Sequence, residues 1–316
     1  MVQNARAQSA QADVTFNASV GRALAKWEWP LTGRTSAVGE TGAASVSLGR
    51  EMCGGGGLAV AWFGHQWNAL AKRDALGSVL TRPGTGPTWR VDDFFETGRA
   101  DVDRLMAATG RLAPDLSTRH ALDFGCGVGR LTQALAAHFG DVRGVDIAPS
   151  MIAIARHENR APERCHFELN RRPHLRRFAD NTFDLVYSRL VLQHMPVRLV
   201  RRYIPELIRV LAPGGLFVFQ LPTEIDDPGR AFREAPVRGG PLKRGLPRWL
   251  VHTYRRVKYP LLRSVRTQMD MFGMSRDAVV EVVESCGARL LGVESDDSHG
   301  TSAPGFQYWA TKPLST

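Results

Sequence analysis

Ala121-Leu122-Asp123-Phe124-Gly125-Cys126-Gly127-Val128-Gly129-Arg130 decides the fold. The first four residues, apolar except for Asp123, read as a short buried strand. Glycines follow at 125, 127 and 129. Arg130 then opens a helix with Leu131, Leu135 and Phe139 on one face and Gly140 as its stop. A strand that runs through glycines directly into a helix is the opening βα unit of an open sheet. Its glycines lie at the carboxyl edge of the strand, where a backbone without Cβ atoms can turn sharply and approach a ligand closely.

The alternation continues downstream. Val142–Ile147 reads as a second strand carrying Asp146 near its end, and Pro149 suits the first turn of a helix bearing Met151, Ile152 and Ile154. Cys165–Leu169 and Phe183–Ser188 are the third and fourth strands. Val200, Ile204, Leu207, Ile208 and Leu211 repeat at helical spacing, and Pro213-Gly214-Gly215 leads into a fifth strand, Leu216–Leu221. A last helix is expected over 275–286 with Gly287 as its stop, then strands at 290–293 and 307–311. The pattern predicts an α/β fold, doubly wound and Rossmann-like, with a mostly parallel sheet covered by helices on both faces.

Composition sets the outer limits. At 316 residues, 43% hydrophobic and 23% charged, the chain has material for a full core without disulfides. Glycine lacks the three-residue period of collagen. No run of eighteen apolar residues exists to span a bilayer, and the first residues lack the apolar core of a secretory signal. Cys53, Cys126, Cys165 and Cys286 make no ligand spacing, so no metal is expected, and reduced thiols in a cytoplasmic protein are.

Domain organisation follows from the same reading. Residues 1–60, rich in Gly, Ser, Thr and Ala and ending in four glycines, are expected to be a loose extension. Residues 61–115 carry Trp62, Phe63, Trp67, Trp89, Phe94, Phe95, Val102, Leu105 and Met106 and read as an N-terminal helical segment. The core occupies 116–222 and 274–316. Between them lies a long insertion, 223–273, expected to form a basic helical cap.

The formal charge of +10 has one address. Residues 228–269 hold eleven Lys or Arg and a single acid, Glu234, so the rest of the chain is neutral. Leu246, Trp249, Leu250, Tyr254 and Val257 share one helical face there. Such a cap can close a pocket against water and offer cations to a phosphate, a carboxylate, an acyl carrier or an anionic membrane surface.

The ligand follows from two carboxylates. Asp146 stands at the tip of the second strand, 23 residues after Asp123, and a carboxylate there can accept both hydroxyls of a ribose. The glycine pattern departs from the dinucleotide fingerprint GxGxxG, since the third glycine comes one position early and Arg130 stands in its place. Asp123 disfavours a pyrophosphate and favours an ammonium group. S-adenosylmethionine carries an ammonium and a sulfonium and no phosphate. The other readings are a nicotinamide-dependent dehydrogenase and a non-catalytic cofactor-binding or RNA-associated protein.

Four stretches, LDFGCGVGR (122–130), GVDIAPSMI (144–152), FADNTFDLVYSRLVLQHM (178–195) and RVLAPGGLFVFQLP (209–222), resemble the class I S-adenosylmethionine-dependent methyltransferases in order and spacing. The resemblance implies a seven-stranded sheet with the last strand antiparallel. It implies that Asp123 and the backbone of Gly125, Cys126 and Gly127 face the methionine portion, Asp146 the ribose, and Ile147 and Met151 the adenine. Asn170, where many relatives have Asp, would read the adenine edge. Ser188 and Arg189 would stand where the methionine end meets the acceptor. His194, just past the fourth strand, titrates near neutrality and is the candidate general base.

The residues just past the fourth strand narrow the acceptor. Ser188-Arg189-Leu190-Val191 lacks the Asn/Asp-Pro-Pro-aromatic stretch of nucleic-acid amino methyltransferases, the Pro-Cys of cytosine-carbon enzymes and the paired glutamates of protein arginine methyltransferases. A small-molecule acceptor, anionic or carrier-linked, remains, with no specific nucleic acid expected and peripheral membrane contact through the basic segment open.

Overall fold

A computed structural model describes residues 56–80, 89–223, 269–296, 298 and 303–314. Seven strands form one sheet in the order β3-β2-β1-β4-β5-β7-β6. These are β1 His120–Phe124, β2 Asp141–Asp146, β3 Cys165–Leu169, β4 Phe183–Ser188, β5 Leu211–Pro222, β6 Arg289–Ser295 and β7 Gly305–Thr311. The helices are α1 Gly56–Val79, α2 Val91–Leu112, α3 Arg130–Leu135, α4 Pro149–His157, α5 Val197–Val210 and α6 Arg276–Ser285. The α/β architecture read from the sequence is present. The last strand, β7, is antiparallel to both of its neighbours, β5 and β6. The basic stretch 228–268 and the extension before Gly56 lie outside the described residues.

The chain divides into two compact units, one of residues up to Met106 with Cys126–Pro173, the other of Ala107–Gly125 with His174 onward. In the first, β2 and β3 pair in parallel from Val142 opposite Cys165 to Asp146 opposite Leu169. Its core joins the early helices to the glycine loop and α4: Ala71, Ala75, Leu76, Phe94 and Phe95 cluster with Val128, Ala148, Met151 and Ile154. Burying one such aromatic or aliphatic side chain contributes about 1.5–3 kcal/mol. Helix α1 kinks at Asp74, the one residue inside it with non-helical dihedrals. Helix α3 is shorter than its apolar pattern suggests. It ends at Leu135, and Phe139 closes back through its N–H onto the Leu135 carbonyl.

Arg130 opens α3 and is almost fully buried. Its Nη1 donates to Asp101 Oδ2 at 2.6 Å and to Thr97 Oγ1 at 3.2 Å, which ties α2 to the end of the glycine loop. A guanidinium out of water needs such partners, because an uncompensated buried charge is costly.

In the second unit β1, β4 and β5 run parallel. Asp184, buried on β4, accepts from the N–H groups of Arg119 (3.0 Å) and His120 (2.9 Å) and so anchors the start of β1. The rings of Phe217, Phe219 and Tyr308 stack across β5 and β7 at centroid distances of 4.5 and 5.0 Å. Val200, Ile204, Leu207 and Ile208 form the buried stripe of α5. Leu211, read as the last position of that stripe, is instead the first residue of β5. Pro213-Gly214-Gly215 is not a turn before the strand but an irregularity inside it, where the β4 register jumps from Leu211 to Leu216. Ser275 caps α6 by accepting from Ala278 N–H.

Candidate functional site

The strand order reverses at β1 and β4, and ligands of open sheets collect beyond the carboxyl ends at such a point. The chain leaves β1 through Gly125, which has φ +82. A Cβ there would lie 2.4 Å from Val191 Cγ2, so this position accepts neither another side chain nor its strain. Gly129 has φ +87 and caps α3, and a Cβ on it would meet the Phe167 ring at 2.7 Å.

In the first unit Asp146 is the centre of the arrangement. Its Oδ2 accepts from Gly127 N–H at 2.9 Å and its Oδ1 from Ala148 N–H at 2.8 Å. Burial raises its pKa, opposed by the backbone N–H groups of Ala148, Gly127 and Ile147. Each carboxylate oxygen has two acceptor directions, so one backbone bond on each still leaves room for a hydroxyl. Cys126 N–H donates to the Val145 carbonyl at 3.0 Å, holding the loop to β2. Asn170 N–H donates to the Asp146 carbonyl at 2.8 Å, and its side-chain oxygen accepts from Arg172 N–H. Ile147 is partly exposed, with Gly64 of α1 packed against it, while Met151 is buried in the apolar cluster with Phe94 and Phe95.

In the second unit Asp123 is buried at the end of β1. The Ser188 hydroxyl is fully buried and has no hydrogen-bond partner among the described residues. Arg189 turns toward β7 and the end of β6, where Nη1 donates to Asp296 Oδ2 at 3.0 Å and to Gln307 Oε1 at 3.4 Å. Gln220 stands opposite Gln307 in the β5–β7 register, buried, with neither end of its amide paired among the described residues. Leu190 has φ +59, an outlier for a bulky residue and a sign of strain just past β4.

His194 ends a single 3₁₀ turn, Leu192–His194. Its Nδ1 lies 3.2 Å from the Asp270 carbonyl, which can only accept, so Nδ1 carries the proton and Nε2 is the acceptor. That nitrogen lies 3.2 Å from Gln193 Nε2. Burial lowers the pKa to about 4, against the raising effect of the Asp270 carbonyl, so the ring is neutral at pH 7. The segment 269–274 also holds this turn through Phe272 N–H on the Gln193 carbonyl, 2.6 Å, and reaches β5 through Met274 N–H on the Pro222 carbonyl.

Sequence reasoning missed Asn68, Gln193, Asp270 and Asp296. Only Asn68 left a trace, as a polar residue on the stripe Gly64–Asn68–Ala71 of α1 that turns out to be buried. Asp270 and Asp296 act through contacts distant in sequence, and Gln193 through its neighbour His194 and the distant Phe272.

Residues 122–219 match the family described as methyltransferase domain. A trans-aconitate 2-methyltransferase of Methylobacterium radiotolerans is 34% identical over 45% of this chain and 54% of its own length. A malonyl-[acyl-carrier protein] O-methyltransferase of Pectobacterium atrosepticum is 30% identical over 40% of this chain and 47% of its own. The chain thus spans about half the length of these curated relatives. The solved structure of a SAM-dependent methyltransferase from Leishmania major shares the fold at TM-score 0.52 and 14% identity, over 79% of this chain and 83% of that one. No described helix is long and apolar enough to cross a membrane.

Proposed function

We propose that the chain, whose residues 122–219 match the methyltransferase domain family, transfers a methyl group from S-adenosylmethionine to a small-molecule acceptor. The observation that carries this reading is the Asp146 carboxylate bonded to the glycine loop through Gly127, an acceptor pair suited to a ribose diol. A dinucleotide would instead bring a pyrophosphate toward Asp123.

The residues fit such a cofactor. Ser188 carries a buried hydroxyl in need of a partner, and Gly125 turns the chain at φ +82 at the same strand edge, where Val191 leaves no room for a side chain. In this reading Asp123 and the backbone of Gly125, Cys126 and Gly127 take the amino-acid end, with Ser188 beside them. Asp146 takes the ribose, Ile147 flanks the adenine, Met151 shapes that wall from behind, and Asn170 meets the adenine edge. Arg189, held by Asp296 and Gln307, belongs to the acceptor side. When bound, S-adenosylmethionine supplies a sulfonium methyl that passes to the acceptor as the carbon–sulfur bond breaks. The chain's part is alignment, which can account for effective molarities of about 10⁵–10⁸ M.

The acceptor class we propose is a carboxylate. A carboxylate oxygen is already a nucleophile, so it asks nothing of a base, and His194 at a pKa of about 4 is a weak one. We assign His194 to orienting the acceptor-side turn. The similar trans-aconitate and malonyl-carrier methyltransferases name acidic acceptors, and the cationic residues 228–269 suit an anionic or carrier-linked one. A cytoplasmic location fits this role.

Titration calorimetry with S-adenosylhomocysteine and with NAD tests the cofactor, and binding of NAD alone would overturn the proposal. Incubation with methyl-labelled S-adenosylmethionine, trans-aconitate, malonyl thioester and cell extract tests the acceptor. Label in a base-labile methyl ester supports a carboxylate, whereas label in a base-stable product removes it.

A further inference from the structure

Helix α4 opens without a cap of its own. Its N-cap is Ala148, whose side chain accepts nothing, and Pro149 has no N–H to offer. The N–H of Ser150 donates to Oδ1 of Asn68 at 2.9 Å, and the Ser150 hydroxyl donates to the same oxygen at 2.6 Å. Asn68 lies on α1, 82 residues away in sequence. Both residues are buried, so neither donor has water to turn to if the oxygen is removed. The helix is therefore capped in trans, from an element that the methyltransferase match over 122–219 does not include.

Two more contacts of α1 bear on the same turn. A Cβ on Gly64 would lie 3.1 Å from Ile147 Cγ1, so α1 lies directly on that residue. Val79 Cγ2 lies 3.2 Å from where a Gly127 Cβ would be, over the glycine whose N–H binds Asp146. The segment from Asp146 to Ser150 is thus pinned at both ends. Asp146 is bonded to the glycine loop and to Ala148, and Ser150 is bonded to Asn68.

We infer that Asn68 is a positioning residue for cofactor binding, which caps α4 from α1 and thereby holds the Asp146 carboxylate in its binding geometry. The inference rests on the proposed binding of S-adenosylmethionine. Without the amide oxygen, the Ser150 N–H and hydroxyl are orphaned in an apolar setting. The turn then gains by opening to water, and the competent fraction of molecules falls. Apparent affinity falls in the same proportion. The N-terminal helices are thereby part of the cofactor-binding unit.

The test uses the full chain and S-adenosylhomocysteine as the probe. Asn68→Leu keeps the γ-branched heavy-atom skeleton and removes the acceptor, and binding is expected to weaken about tenfold, the effect of dropping the competent fraction to about one in ten. Asn68→Asp keeps an acceptor oxygen at a helix N-terminus, where negative charge is favoured, and is expected to stay within about twofold of the parent. Ser150→Ala removes one of the two bonds and is expected to fall between them. Hydrogen exchange at the Ile147, Ala148 and Ser150 amides should quicken in Asn68→Leu. Leu207→Ala, in the buried stripe of α5, serves as a variant that lowers melting temperature without touching this turn.

Faster exchange with unchanged affinity in Asn68→Leu overturns the inference, as does an equal affinity loss in Leu207→Ala. If Asn68→Leu fails to fold, Asn68→Asp and Ser150→Ala decide: weak binding in the first with parent-like binding in the second overturns it. Failure of the parent chain to bind S-adenosylhomocysteine overturns the cofactor proposal instead, so the two failures are distinct.

Discussion

The carboxylate of Asp146 and the backbone N–H of Gly127 are joined by a 2.9 Å hydrogen bond, which ties the tip of β2 to the third residue of the glycine loop. A second backbone bond, from Ala148, fixes the rotation of the same carboxylate.

Asp146→Asn should weaken S-adenosylhomocysteine binding by at least tenfold. Bonds to a charged acceptor contribute about 1.5–3 kcal/mol, and the amide presents an N–H₂ to one of the two backbone donors or to the ribose. Titration calorimetry of the variant, with its melting temperature as a check on folding, measures this.

Gly125→Ala should lower stability by about 1–3 kcal/mol through its φ of +82 alone, with the clash against Val191 added. Val191→Ala in the same chain should relieve the contacts with the two Val191 methyls at 2.4 and 2.5 Å and leave the dihedral cost with the 2.9 Å contact to its Cβ. Denaturant melts of the two singles and the double separate these terms.

His194 gives the acid limb of stability a defined sign. Its folded pKa, about 4, lies below the unfolded value of 6.5, so the unfolded chain binds more protons between these points. The stability it contributes is present above pH 6.5 and is lost as pH falls toward 4. Asp146 acts in the opposite direction, since its pKa, raised by burial, favours the folded state when protonated, and that contribution is lost as pH rises above the ordinary carboxylate value. His194→Asn should therefore flatten the fall in melting temperature between pH 6.5 and pH 4, and an unchanged slope would count against a buried neutral ring.

Arg189 and Asp296 should show coupling in a double-mutant cycle. Both are largely buried and their bond is 3.0 Å, so each single alanine variant takes a close opposite charge from the other and the double variant should cost less than the sum. A coupling of about 1–3 kcal/mol by denaturant melts is expected for a pair so enclosed. If Arg189 serves the acceptor, Asp296→Asn should also raise KM for the acceptor while leaving S-adenosylhomocysteine affinity unchanged.

Much of the fold is readable along the chain because it is local. The apolar strand before Gly125, the glycines themselves, Pro149 in a first turn and Gly287 after a last helix are each decided by neighbours a few residues away. Where local signals compete, the pattern misleads. Leu211 continues a helical period but pairs with Phe183 as a strand residue, since a sheet neighbour outweighs an apolar stripe at its last position.

The sequence by itself determined the α/β order, the edge at which ligands collect and the carboxylates Asp123 and Asp146, because strand and helix periods and strand-end positions are properties of short stretches. Tertiary structure alone decided what those carboxylates and their neighbours touch. Asp146 bonds Gly127, Arg189 turns to Asp296, His194 loses its proton by burial beside the Asp270 carbonyl, and Asn68 caps a helix 82 residues away. The physical reason is that a hydrogen bond or a desolvation depends on distance in space, and chain folding brings together residues whose separation in sequence carries no signal of it.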